Sequence, residues 1–274
     1  MTISPMRYAG GKHKLAPIIM EHLDPLLINA NSYVEPFFGG GSIGLTVAQK
    51  YPNINLFIND KDLWISSFWR VVSGNEYQLQ ELLTLIDQPA TIEHFYHLWE
   101  SDPSNDVERA YHAIFFNRCC FSGIVKKDKY GRVKSSPIGG RDQRSEYTVG
   151  CRYNAKKLKE KIIICNRLLA GRTRVDCMDI NDYLGSIEKD APMYLDPPYA
   201  RAGHMLYNEY MEPAEHIKLA GRLRAMEKWV LSYDDCSEIR GLYENNRIID
   251  LAARYSINGS KEKWVNKNEL LILP

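Results

Sequence analysis

The chain has no run of 18 apolar residues and no basic-then-apolar leader, so nothing in it reads as a membrane span or an export signal. That absence sets the expectation of a cytoplasmic protein with no membrane partner. Its six cysteines, Cys119, Cys120, Cys151, Cys165, Cys177 and Cys236, form no C-x-x-C pair, and none has a histidine nearby at metal-ligand spacing. They read as reduced thiols, and no metal is expected. Internal repeats and low-complexity linkers are missing too, which excludes a solenoid and a tethered multidomain chain. With 45% hydrophobic residues the chain has enough apolar material for a full core, so disorder is excluded. Its 274 residues fit one large domain, or one domain with an insert.

What is present is unevenly distributed. The net charge is only +1, yet Arg118 to Arg174 holds 16 Lys and Arg against 4 Asp and Glu, a net of +12 that leaves −11 on the remainder. A basic block on an acidic protein is the footprint of a phosphate backbone. A solvated lysine-rich helix face is the plainer explanation, and it suits Lys156, Lys157, Lys159 and Lys161. It suits residues 121–150 poorly, because glycines break that stretch at 123, 131, 139, 140 and 150 and it has no helical period. With a Lys-Tyr-Gly-Arg turn at 129–132, this part reads as a β-hairpin-like insert whose tip enters a groove.

The most informative stretch is Asp196-Pro197-Pro198-Tyr199, which follows the apolar strand-like run Met193-Tyr194-Leu195. A nucleobase amino group is a poor nucleophile because its lone pair is delocalised into the ring. The Asp196 carboxylate and the Pro197 carbonyl are suited to accept its two N–H bonds, which pulls the nitrogen toward tetrahedral geometry. Proline suits the second acceptor because it has no N–H and a fixed φ. Tyr199 is then expected to stack on an extruded base. The competing explanation is a turn that closes a strand, with Tyr199 in the core. The four residues alone leave both open.

Glu35-Pro36-Phe37-Phe38-Gly39-Gly40-Gly41-Ser42-Ile43-Gly44 lies between a predicted strand end (32–34) and a predicted helix start. Adjacent glycines let the backbone turn tightly and a ligand approach. Gly39, Gly41 and Gly44 satisfy G-x-G-x-x-G, and Asp60 follows about 20 residues on, placed to bind a ribose diol. This half does not separate NAD from S-adenosylmethionine, since both carry an adenosine. Asp-Pro-Pro-Tyr does, because hydride transfer has no use for it. The N-terminal Met6-Arg7-Tyr8-Ala9-Gly10-Gly11-Lys12 fails as a P-loop, with Met at position 6 and His13 in place of Ser or Thr. It leaves an aromatic and a lysine around a flexible turn, suited to close over a cofactor.

Helical patterns near 61–72, 76–86, 106–118 and 213–226 alternate with strand patterns near 173–177, 191–195, 228–233, 246–251 and 268–273. That alternation predicts an α/β fold with a doubly wound, mostly parallel sheet and an inserted basic subdomain. Asn258-Gly259 suits a turn between two final antiparallel strands. The ligand is expected outside the carboxyl ends of the strands.

In this order, Arg-Tyr-Ala-Gly-Gly-Lys, Glu-Pro-Phe-Phe-Gly-Gly-Gly-Ser, Asn59-Asp60 and Asp-Pro-Pro-Tyr make the chain resemble the Dam family of S-adenosylmethionine-dependent adenine-N6 DNA methyltransferases, of the alpha motif order. The similarity continues through Phe116-Asn117-Arg118, Ser256-Ile257-Asn258-Gly259 and Asn268-Glu269-Leu270-Leu271-Ile272-Leu273. The resemblance implies a Rossmann-like catalytic domain over 1–102 and 171–274, and a target-recognition insert over 103–170. It implies S-adenosylmethionine as cofactor, held by Tyr8, Lys12, Phe37, Gly39, Asp60 and Asp196. Asp196, Pro197 and Tyr199 would be catalytic, and duplex DNA the partner, with a cognate restriction endonuclease left open.

The DNA contacts expected are Arg7, Arg118, Lys126, Lys127 and Lys129, with Arg132 as a base reader. Tyr8 stands where the family commonly has tryptophan, and Arg7 where relatives often have lysine. Arg can contact guanine in a bidentate way and Lys cannot, so specificity there is open. A methyltransferase on an RNA adenine or a cytosine N4, and a DNA-binding relative without turnover, are the rival readings. No Pro-Cys pair occurs, which argues against cytosine-C5 chemistry with a cysteine nucleophile.

Overall fold

Four short strands form the parallel part of a single seven-stranded sheet together with β5, and their order carries the functional geometry. The computed structural model describes residues 3–7, 11–123, 125–128, 130–200, 210–256 and 264–274. In chain order the strands are β1 (Ser32–Glu35), β2 (Asn55–Asn59), β3 (Thr173–Asp176), β4 (Met193–Leu195), β5 (Trp229–Asp234), β6 (Arg247–Ser256) and β7 (Trp264–Leu273). They lie side by side as β3-β2-β1-β4-β5-β7-β6. β3, β2, β1, β4 and β5 are parallel, and β7 runs antiparallel to both β5 and β6.

Parallel strands covered on both faces read as continuous apolar runs rather than alternating ones, which is why Met193-Tyr194-Leu195 is buried throughout. Period-2 geometry sends alternate residues to opposite faces. Tyr33, Leu56, Ile58, Tyr194 and Val230 join one core, and Val34, Met193, Leu195 and Leu231 the other. Among the described residues the helices are α1 (Ala16–Leu27), α2 (Ser42–Lys50), α3 (Leu63–Ser73), α4 (Glu76–Leu85), α5 (Ile92–Glu100), α6 (Asp106–Cys119), α7 (Ala155–Leu169), α8 (Ile180–Ser186), α9 (Pro213–Leu223) and α10 (Ser237–Leu242). Asp62, Asn75, Thr91, Asn105 and Asn154 each accept a backbone N–H as N-caps of α3 to α7. None of the described helices is long and apolar enough to cross a membrane.

The sheet has the expected mixed α/β character. α5 and α8 occupy stretches for which the sequence patterns gave no element. α6 is buried on nearly every side, and α6 and α7 share the main core with the sheet. Within the expected insert, the described residues of 120–154 carry little regular structure beyond two isolated bridges, Cys120↔Pro137 and Lys127↔Val133, and two 3-10 turns, at Phe121–Gly123 and Val149–Arg152. The chain crosses from β3 at one side of β1 to β4 at the other. A crevice therefore opens at the carboxyl ends of β1 and β4, the topological switch point of such sheets. Asn258-Gly259, the expected turn between β6 and β7, lies outside the described residues.

Candidate active site

The first wall of the crevice is the loop between β1 and α2. The Phe38 N–H donates to the Asn59 carbonyl at 2.9 Å, and the Gly41 N–H to the Phe38 carbonyl at 2.7 Å. Gly41 sits at φ 68°, where a side chain is strained, and a Cβ there would lie 2.8 Å from the Phe38 ring. Trp69 of α3 clamps the loop from below, its Nε1 donating to the Gly39 carbonyl at 2.8 Å and its ring packed edge-on to Phe38 at 4.9 Å. Glycine here serves a tight turn and close packing at once.

Asp60 follows the end of β2 directly. Its Oδ2 accepts the Gly39 N–H at 2.8 Å and its Oδ1 the Asp62 N–H at 2.9 Å. Burial, then the neighbouring Asp62 charge, pushes this carboxyl up to about 7, against the two N–H donors and the Lys127 charge. Each oxygen keeps a lone pair for a ligand in the cleft. Asn59 staples three segments: its Nδ2 donates to the Pro36 and Met178 carbonyls at 3.1 Å each, and its Oδ1 accepts the Met178 N–H at 2.8 Å. In the sequence Asn59 is legible only as half of the Asn59-Asp60 motif; an amide at a strand end was the signal for this role.

Opposite lies Asp196, one residue past β4. Lys12, only 2% exposed, places Nζ 2.9 Å from Asp196 Oδ2 and 3.9 Å from Glu269 Oε2. Asp196 Oδ1 accepts from Ser232 Oγ at 3.0 Å, and the Ser232 hydroxyl meets the Tyr194 hydroxyl at 2.8 Å. The carboxylate is thus fixed from both sides, while its side chain keeps 22% of its surface open. Glu35 of β1 also lines the crevice. It accepts the Tyr33 hydroxyl at 2.7 Å, and burial together with the Asp196 charge raises its pKa well above the usual carboxylate range. Neither Ser232 nor Glu269 was given a role from the sequence, although an acid directly before the apolar run Leu270-Leu271-Ile272-Leu273 was a signal for a packed, partnered charge.

Tyr199 does not offer an open ring. It is 6% exposed, with Lys12 Nζ 4.9 Å from its ring centroid and Tyr233 at 6.4 Å. The turn-with-core-tyrosine alternative therefore describes its packing, while Asp196 beside it remains accessible. Pro197 is buried, and Pro198 faces the crevice. Phe37, Gly39, Asp60 and Lys12 all line the same crevice, as do Trp64, Met178 and Ile180, so the structure brings these expected cofactor residues together with Asp196. Tyr8 lies outside the described residues.

The residues expected to touch DNA divide. Arg7 lines the crevice, and its backbone is held by Asn117, whose Oδ1 accepts the Arg7 N–H at 2.7 Å while Nδ2 donates to the Arg7 carbonyl at 2.6 Å. Its buried Nη1 has no partner among the described residues. Arg118 donates Nη2 to the Pro5 carbonyl, and burial with the charges of Arg7 and Arg152 pushes it down to about 10. Lys126 and Arg132 are exposed, on a turn closed by the Lys134 N–H donating to the Lys126 carbonyl at 2.7 Å and the Asp128 N–H to the Arg132 carbonyl at 2.8 Å. Lys129 lies outside the described residues.

Lys127 is a correction. Expected at the exposed tip, it points inward and pairs with Asp62 Oδ1 at 2.6 Å. Its bridge partner Val133 is buried, and cross-strand partners share a face, so Lys127 is carried to the inner side of the turn.

Fold and crevice meet a consistent set of relatives. A model of the family described as D12 class N6 adenine-specific DNA methyltransferase matches residues 8–257. The chain belongs to that family. Among curated relatives, the Type II methyltransferase M.MjaIII of Methanocaldococcus jannaschii is 27% identical over 297 residues, covering 96% of each chain. The Type II methyltransferase M1.LlaDCHI of Lactococcus lactis subsp. cremoris is 30% identical over 145 residues, 48% of this chain and 49% of its own. The DNA N-6-adenine-methyltransferase of Escherichia phage P1 is 22% identical over 271 residues, 93% of this chain and 33% of its own. The protein is thus an enzyme, an adenine-specific DNA methyltransferase of the D12 class, acting on DNA with a methyl donor.

Proposed function

We propose that this D12-class enzyme takes its methyl group from S-adenosylmethionine and gives it to the N6 of an adenine turned out of duplex DNA. The observation that carries the reading is the pairing, in one crevice, of a diol-type acceptor at the end of β2 with an open carboxylate at the end of β4. The residues fit the cofactor. Asp60 presents two fixed oxygens suited to a ribose diol, the Gly39 to Gly41 turn lets the backbone come close, and Phe37, Trp64, Met178 and Ile180 offer apolar walls for a planar base. When bound, S-adenosylmethionine supplies an activated methyl group on a sulfonium with a good leaving group.

The chain's own residues do the rest. Lys12 and Ser232 hold the Asp196 carboxylate in one orientation, so it accepts an N–H of the adenine amino group without first reorganising. The Pro197 carbonyl takes the second N–H. With both protons held, the nitrogen lone pair points along the line of attack, and catalysis is mainly positioning. The positive charge that develops on the amino nitrogen meets the Asp196 carboxylate, and the nitrogen sheds one proton, to that carboxylate or to water, once it carries the methyl group. Tyr199 supports this arrangement from behind, its ring lying 4.9 Å from the Lys12 ammonium that orients Asp196.

DNA reaches the crevice along the basic segment. Arg7, lining the crevice, and Arg118, set deeper beside it, are guanidinium groups without an acidic partner among the described residues, so their positive charge is available to draw a phosphate toward the crevice mouth. Lys126 supplies a phosphate contact and Arg132 a base contact from the exposed turn. Methylation-sensitive sequencing of DNA from cells expressing the protein tests the reading. A single recurrent sequence with N6-methyladenine at one position is expected, and its absence from both strands at every site would overturn the proposal. Parallel tritium transfer to RNA and to duplexes of G·C pairs alone should give no signal above background.

A further inference from the structure

The ion pair between Lys127 and Asp62 joins two parts of the molecule to which the proposed function assigns different ligands. On one side is the 126–134 turn, closed by the Lys127↔Val133 bridge and by the Gly131 N–H donating to the Asp128 carbonyl at 2.9 Å. Lys126, Arg132 and Lys134 are exposed on it. On the other side is the end of β2. Asp62 donates its backbone N–H to Asp60, caps α3 by accepting the Trp64 N–H at 2.8 Å on Oδ1, and receives Lys127 Nζ on that same oxygen at 2.6 Å. Lys127 also lies 4.6 Å from the Trp64 ring centroid, and Trp64 stacks with His112 and Phe116 of α6 at 5.3 and 6.1 Å.

Lys127, Asp62, Trp64 and Asp60 line one crevice. The two charged side chains, 13% and 17% exposed, lie on the wall of that space, so water in the crevice contributes to their solvation. A ligand filling the crevice displaces this water and lowers the local dielectric, which strengthens the attraction between Lys127 and Asp62.

We infer that Lys127 is a positioning residue through which cofactor and DNA bind with mutual reinforcement: a filled cofactor crevice tightens the Lys127–Asp62 pair and so fixes the DNA-facing turn. This rests on the assignment of Asp60 to the ribose and of the basic turn to DNA. Coupling between two binding sites is reciprocal, so it can be read from either ligand.

The test is calorimetry with S-adenosylhomocysteine, alone and with a saturating duplex that carries the site found by sequencing, on the full chain. In the wild type the duplex should tighten S-adenosylhomocysteine by about fivefold or more, within the usual range of coupling between sites. Lys127→Met keeps the aliphatic stem on Trp64 but removes the charge, and should bring that ratio below about twofold, close to no coupling. Asp62→Asn keeps the helix cap and the N–H to Asp60, and should do the same even where Lys127→Met folds poorly. Lys127→Arg, which keeps the charge, should restore the ratio, an outcome that a purely structural role does not predict. A wild-type ratio of one, or an unchanged ratio in both Lys127→Met and Asp62→Asn, overturns the inference while leaving the cofactor and DNA assignments standing. If the wild type binds neither S-adenosylhomocysteine nor duplex, the functional reading beneath it fails first.

Discussion

The Asp60 carboxyl sits between two backbone N–H groups and beside a second acid, and burial holds its pKa near 7. A ribose diol donates to the ionised form. Affinity for S-adenosylmethionine should therefore rise with pH through about 7 and level off above it, and Asp60→Asn should flatten that dependence. Asp60→Ala should weaken the cofactor by about 1–3 kcal/mol, the scale for losing a charge-assisted acceptor. Titration calorimetry between pH 5.5 and 8.5 checks both, and a pH-independent wild type contradicts the assignment.

The same shift has a sign for stability. A carboxyl whose folded pKa lies above its unfolded value binds its proton more tightly when folded, so the cofactor-free protein loses stability as pH rises from about 4 through about 7. Glu35 shifts in the same direction. Melting curves of wild type and Asp60→Asn across that window should converge at low pH and separate at high pH, with the variant the more stable there.

At the scale of elements, the loop before α2 and the 126–134 turn carry the testable geometry. Gly44 in the first turn of α2 has no room for a side chain: a Cβ would meet Glu35 Oε2 at 2.6 Å as well as the Phe38 ring. Gly44→Ala should destabilise the fold by about 1–3 kcal/mol, the cost of overpacking a filled site, read as a lower melting temperature.

In the turn, Lys126→Ala should flatten the slope of log K for duplex DNA against log salt by about 0.9, one phosphate contact. Arg132→Ala should instead relax sequence preference with little change in slope. Fluorescence anisotropy over a salt series separates the two, and an unchanged slope and preference in both would move the DNA surface elsewhere.

Across the whole molecule, the alternation of strands and helices and the place of the crevice were legible, because parallel strands are short apolar runs and an acid follows the carboxyl end at Asp60 and Asp196, whereas the order of the strands was not. What stayed hidden depends on register and on distant packing. The inward turn of Lys127 follows from its bridge to Val133, and lysine reads the same on either face of a turn. Tyr199 is covered by a lysine from the opposite end of the chain, a contact of 187 residues' separation that no local pattern encodes. Glu269 was visible only as a charge in an apolar strand, and its partner Lys12 comes from the N-terminal segment. α5 lies between Pro89 and Pro103 in an aromatic stretch with two histidines, where turn signals at both ends mask a nine-residue helix.

Asp196 joins these parts, since the sheet positions it, Lys12 and Ser232 orient it, and the proposed chemistry depends on it. The decisive measurement is mass-spectrometric quantification of N6-methyladenine in duplex DNA incubated with S-adenosylmethionine and either wild type or Asp196→Ala, each confirmed as folded by circular dichroism and titrated with the cofactor. The expected result is methyladenine from the wild type and none above background from the variant, whose cofactor affinity falls only modestly. Wild-type-like methylation by Asp196→Ala would contradict the placement of the chemistry at the end of β4.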